Sequence, residues 1–141
     1  MILMWYHYSM RLLNRDVDYS VRALVHIAAH APEVVAVSGM EAKVGVSRPF
    51  LRKILQKLNK AGVLHSKKGR GGGFVLAKKP EQIFLRELVG IFQGSLVQDG
   101  CVFNGKMCFN HKTCRLRERI GGVESKMLAE IEKISLKSLM A

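Results

Sequence analysis

Apolar residues recur at helical spacing along most of this chain, and two short apolar runs on either side of a glycine cluster break the rhythm. From Asp16 to Ala31, the positions Val17, Val21, Leu24, Val25, Ile27 and Ala28 mark one helical face, and Pro32 closes the run. The loop Glu33–Val37 leads to Ser38, a residue type that starts helices, and a short helix is predicted from there through Lys43. Gly45 ends it and Ser47 caps the next, with Pro49 in the first turn, where its missing N–H costs nothing. Phe50, Leu51, Ile54, Leu55 and Leu58 form the stripe of that helix, and Gly62 terminates it. Two helices joined by a tight glycine-containing turn, the second one basic, make a helix-turn-helix pattern.

Val63–Ser66 and Phe74–Ala77 read as strands joined by Lys68-Gly69-Arg70-Gly71-Gly72-Gly73, a β-hairpin wing whose glycines permit positive φ. Ile83–Gln93 is predicted as a further amphipathic helix with Leu85, Leu88, Val89 and Phe92 inward. The segment 94–113 has weak periodicity and reads as a loop. Cys114 opens a last helix to about Leu139, with Leu116, Ile120, Val123, Met127, Ile131 and Ile134 on one stripe interrupted by Gly121-Gly122. Such a stripe on a terminal helix suits a dimer seam; the alternative is a helix folded back on its own domain. The fold class expected is mainly α with a small β-hairpin wing. A winged helix-turn-helix domain spans 10–93, a cysteine-bearing loop 94–113 and a long dimerisation helix 114–141.

Charge sharpens this reading. Among 141 residues, 23 Lys and Arg face 11 Asp and Glu, for a formal net charge of +12, which points to nucleic acid or an acidic membrane surface. No apolar run approaches the ~20 residues that span a bilayer, so a transmembrane helix is excluded. Residues 1–9 are apolar but lack the basic start and cleavage site of a secretory signal. They are read as an N-terminal extension, with Met10, which opens a more regular sequence, as a candidate translation start. Three cysteines without a signal peptide suggest a reducing, cytoplasmic setting, where spaced cysteines more often hold metal than form disulfides.

Between Ser47 and Lys79 lie ten Lys or Arg and no Asp or Glu. One sign of charge over a helix and a hairpin suits a phosphate backbone better than a merely solvated basic face. With the helix from Ser47 in the major groove, Ser47, Arg48 and Arg52 are candidates for base-edge contacts, beside Pro49 in the same turn. Lys53, Lys57 and Lys67 are candidates for phosphates, and Lys68 and Arg70 at the wing tip for the minor groove. His26 and His30 are expected as surface or boundary residues.

Six residues separate Cys101 from Cys108 and five separate Cys108 from Cys114. Thiolates at this spacing can wrap a compact metal centre, yet three leave one position short on zinc or on an iron–sulfur cluster. His111 is the local candidate for that position, and Glu118 lies one turn beyond Cys114. A thiol redox switch, or cysteines without special chemistry, stay open on spacing alone. No Ser/His/Asp or paired-carboxylate constellation suggests an enzyme.

The chain resembles the bacterial winged-helix regulators of the IscR, NsrR and CymR type, the Rrf-type helix-turn-helix family. The resemblance runs from Met10 onward, through Asp18-Tyr19-Ser20-Val21-Arg22-Ala23-Leu24, Gly45-Val46-Ser47 and Leu58-Asn59-Lys60-Ala61-Gly62-Val63-Leu64. It continues through the wing, Lys68–Leu76, then Ile83-Phe84-Leu85-Arg86-Glu87-Leu88-Val89 and Ile134-Ser135-Leu136-Lys137-Ser138-Leu139. It implies a homodimer whose final helices cross, each copy placing a winged domain on half of a palindromic operator in double-stranded DNA. It also implies a [2Fe–2S] or [4Fe–4S] cluster on Cys101, Cys108 and Cys114.

Two departures stand out. The first cysteine gap holds six residues where many members have five, and Arg117 stands where IscR-type members place a histidine. NsrR-type members take a carboxylate from the first helix of the other subunit, and Asp18 stands near that position. The resemblance therefore implies Asp18 in trans as fourth ligand, with His111 as the local alternative. The expected function is a DNA-binding repressor that senses nitric oxide, redox state or iron–sulfur status. The alternative is a zinc-stabilised or thiol-switch DNA-binding protein without a cluster.

Overall fold

The computed structural model describes residues 11–96 and 108–141. Asn14 starts the first helix, α1 (Arg15–Ala29), its side-chain oxygen accepting the Val17 N–H at 2.9 Å. That satisfies one of the orphan donors of a helix N-terminus. The helix begins one residue before the expected start and ends two before the expected end. Ser20, fully buried, donates its hydroxyl to the Val17 carbonyl at 2.7 Å, so the polar atom costs the core little.

Helix α2 (Met40–Val44) follows a left-handed Gly39, and Ser38 is not its cap. Gly45, at φ +83°, turns the chain into α3 (Arg48–Lys60), with Ser47 at the N-cap position and Pro49 in the first turn. The Ser47 side chain makes no capping bond. Leu51, Ile54, Leu55 and Leu58 of α3 are buried against α1 beside Val17, Leu24 and Ile27.

Strands β1 (Leu64–Lys67) and β2 (Gly73–Leu76) pair antiparallel, from Leu64 opposite Leu76 to Lys67 opposite Gly73. Each sits one residue nearer the turn than its sequence pattern indicated. A further pairing was not foreseen: Val35 and Phe74 exchange two backbone hydrogen bonds of 2.9 Å. The loop before α2 thus lies along the edge of the wing. A 3₁₀ turn at Pro80–Gln82 leads to α4 (Leu85–Phe92).

The terminal helix departs most from expectation. It forms α5 (Arg115–Glu132), breaks over residues 133–135, and resumes as α6 (Leu136–Leu139), capped by the Ser135 side chain. The break is a docking point. Leu85 N–H donates to the Ile134 carbonyl at 2.9 Å, and Leu136 N–H to the Ile83 carbonyl at 2.7 Å. Ile131 and Leu136 are buried in the common core, while Leu116, Ile120 and Val123 are 66%, 41% and 62% exposed. The predicted stripe therefore divides: its C-terminal part folds back on the domain and its N-terminal part stays outside. Gly121-Gly122 does not interrupt the helix.

Candidate nucleic-acid interface and cysteine groove

The buried stripe of α3 turns its opposite face outward. Arg48, Pro49, Arg52 and Lys53 line one shallow surface hollow together with Gln56. Ser47, the residue before Arg48, is exposed. Gln56 was missed from sequence, though it lies one turn beyond Arg52, on the same face. Lys67, Lys68 and Arg70 project from the hairpin and are exposed. Lys57 behaves differently: its ammonium lies 5.5 Å from the centre of the Phe92 ring, a cation–π contact with α4 at the margin of the basic face.

Glu41 on α2 was also missed. It is the sole acid between Val34 and Lys79, and it accepts a hydrogen bond from Arg48 Nε. Its carboxyl is held below the ordinary carboxylate range, first by its own backbone N–H and then by the Arg48 guanidinium. With Nε engaged, the guanidinium is braced at the first position of α3 while its outer N–H groups stay available.

Cys108 and Cys114 are free, half-buried thiols; Cys101 lies outside the described residues, as does that part of the expected ligand set. Cys114 is the N-cap of α5, and its sulfur accepts the Arg117 N–H at 3.4 Å. An open groove of about 690 Å³ runs from here along α5, lined in part by His111, Cys114, Arg117, Glu118 and Glu124. Arg117 also donates to the His111 carbonyl at 3.4 Å.

The donor types suit iron or zinc, but proximity does not follow. Among the described residues, no three His, Cys, Asp or Glu side chains gather closely enough to hold a metal ion. His111 and Glu118 thus share the groove with Cys114 without completing a local site with Cys108. Asp18 is half exposed near the start of α1, in an ion pair of 2.8 Å with Arg22. It lines a second hollow with Arg11, Asn14, Arg15, Tyr19 and Gly45.

Comparison with known proteins decides the family. Residues 13–141 match the family model described as "Rrf2: Iron-dependent Transcriptional regulator". This chain belongs to the Rrf2 family. The Rrf2-family chain is 30% identical to the regulator IscR of Aliivibrio salmonicida over 129 residues, covering 86% of this chain and 73% of that one. It is 29% identical to NsrR of Bacillus subtilis over 133 residues, covering 93% and 90%. Its fold matches the solved structure of CymR, the global cysteine regulator of B. subtilis, with a TM-score of 0.71 at 18% identity over 90% of this chain and 94% of that one. The expected winged-helix fold and family hold. This Rrf2 protein is a DNA-binding transcriptional regulator rather than an enzyme. Among the described residues, no helix is long and apolar enough to cross a membrane.

Proposed function

We propose that this Rrf2-family regulator is a dimeric, cytoplasmic repressor that reads a palindromic operator and reports redox, nitric oxide or iron–sulfur status through its cysteine loop. The observation that carries the reading is Cys114: a half-buried thiol at a helix N-terminus, its sulfur already accepting an amide N–H. Cys108 and Cys114, with Cys101 from the sequence, are the residues that would hold an iron–sulfur cluster. Asp18 of a second copy would serve as fourth ligand once freed from Arg22, with His111 as the local alternative. Such a cluster supplies a centre labile to oxidants and nitric oxide.

The chain's own residues supply the coupling. Cys114 begins α5, and the far end of α5 is fixed to the winged domain through Ile131 and the paired backbones at 83–85 and 134–136. An ordered or disordered cysteine loop therefore biases where α3 and the hairpin sit. The apolar edge Leu116, Ile120 and Val123 is the surface on which a second copy would close. On the DNA side, the hollow of Arg48, Pro49, Arg52, Lys53 and Gln56 would meet the major groove, with Lys67, Lys68 and Arg70 reaching the flanking backbone or minor groove.

Anaerobic purification tests the reading. A brown protein with visible absorption, iron and sulfide, all lost in Cys114→Ser, is expected. A colourless preparation, or stoichiometric zinc with air-insensitive DNA binding, sinks it.

A further inference from the structure

His26 lies in the last turn of α1 and His30 is its C-cap residue, and the pair belongs to neither surface described above. Four residues apart, they share one helical face, the spacing at which two histidines can reach a common ion. Their ring centroids are 4.5 Å apart and the planes are tilted by 53°. Two imidazole nitrogens each about 2.1 Å from one tetrahedral ion would set the ring centres about 5 Å apart, so a small side-chain rotation brings this pair to ligating distance. His30 Nδ1 lies 2.8 Å from the His26 carbonyl oxygen. In the tautomer that donates this bond, Nε2 keeps its lone pair for a ligand. A carbonyl holding one ring nitrogen so that the other can ligate is the usual outer support of a metal-bound histidine.

The electrostatics are mixed but permissive. The carbonyl end of a helix favours a cation, and Lys43 of α2 opposes it. Burial first, then His30 and Lys43, lower the pKa of His26. Among the described residues no third His, Cys, Asp or Glu joins the pair. Water would fill the remaining positions, and the affinity is that of a two-point chelate.

We propose that His26 and His30 form a two-imidazole site for a late first-row divalent cation of the Zn²⁺ or Cu²⁺ class, separate from the cysteine loop. Imidazole selects such ions over Mg²⁺ and Ca²⁺, which prefer oxygen. The site lies behind the helix-turn-helix, where α1 packs on α2, and an ion there would tie down the last turn of α1.

The test is calorimetric titration of the full-length protein with Zn²⁺ alone, in wild type and in His26→Ala, His30→Ala and His65→Ala. A one-equivalent phase is expected to weaken at least about tenfold in each of the first two variants, the least seen on losing even a residue that only orients a ligand. His65→Ala keeps it. Should His26→Ala fail to fold, the exposed His30→Ala carries the test. Isotherms of His30→Ala that superimpose on wild type, or a phase that instead vanishes in Cys114→Ser, overturn the site.

Discussion

Glu41 is the residue that an electrostatic surface for DNA ought not to contain. A carboxylate close to phosphates opposes binding unless it does something else, and here it holds Arg48 by Nε. Glu41→Gln is therefore expected to raise affinity for arbitrary duplex while narrowing the gap between preferred and random sequences. Sequence selection from a random pool, run side by side with wild type, measures both; an unchanged preference with unchanged affinity contradicts the brace. The lysines separate in the same way. Lys53→Ala is expected to shallow the salt dependence of DNA binding by about one unit, as for one lost phosphate contact. Lys57→Ala is expected to change that slope less, because its ammonium rests over Phe92. Salt titrations of both variants on one duplex decide it.

At the scale of elements, the wing owes its shape to a close approach that only glycine allows. A Cβ on Gly73 would come within 2.1 Å of the Val35 carbonyl oxygen, whereas one on Gly71 meets nothing within 4 Å. Gly73→Ala is expected to destabilise by at least the 1–3 kcal/mol typical of overpacking, and thermal unfolding reads it. On α5, a Cβ at Gly122 enters open space within a regular helix. Gly122→Ala is expected to stabilise by about 1 kcal/mol from helix propensity alone, seen as a higher Tm.

These elements were unequally legible. Helices α1 and α3 carry long apolar stripes and strong end signals, so the sequence placed them within two residues. The pairing of Val35 with Phe74 links positions far apart in the chain and leaves no local trace. The break at 133–135 was hidden because Met127, Ile131 and Ile134 continue the stripe across it. A lone Ser135 is a weak stop signal beside that run. Glu41 escaped notice for a similar reason: one acid on a short helix has no pattern, and only folding sets it against Arg48.

In the whole molecule, the unequal burial of the terminal stripe is what the second copy proposed above would correct. Val123→Glu is expected to shift the protein toward monomer in sedimentation and to weaken operator binding, while leaving the winged domain folded by circular dichroism. A monodisperse dimer in that variant places the seam elsewhere. The basic surface and winged fold were readable in advance, because charge and periodicity are local properties. The candidate metal site was readable only as a set of donor types. Gathering Cys108, His111 and Cys114 into one site depends on three-dimensional proximity, which spacing in sequence does not supply.

Helix α5 is held at its C-terminal end by two backbone hydrogen bonds to the chain around Phe84, and it extends eighteen residues from there to Cys114. At 1.5 Å per residue it is a lever arm about 27 Å long. A swing of about 10° at the pivot carries the tip about 5 Å, close to the pitch of one helical turn. In the dimer proposed above, a swing of this size between α5 and the winged domain would change the reach between two reading heads by more than a base step, with no change inside either head.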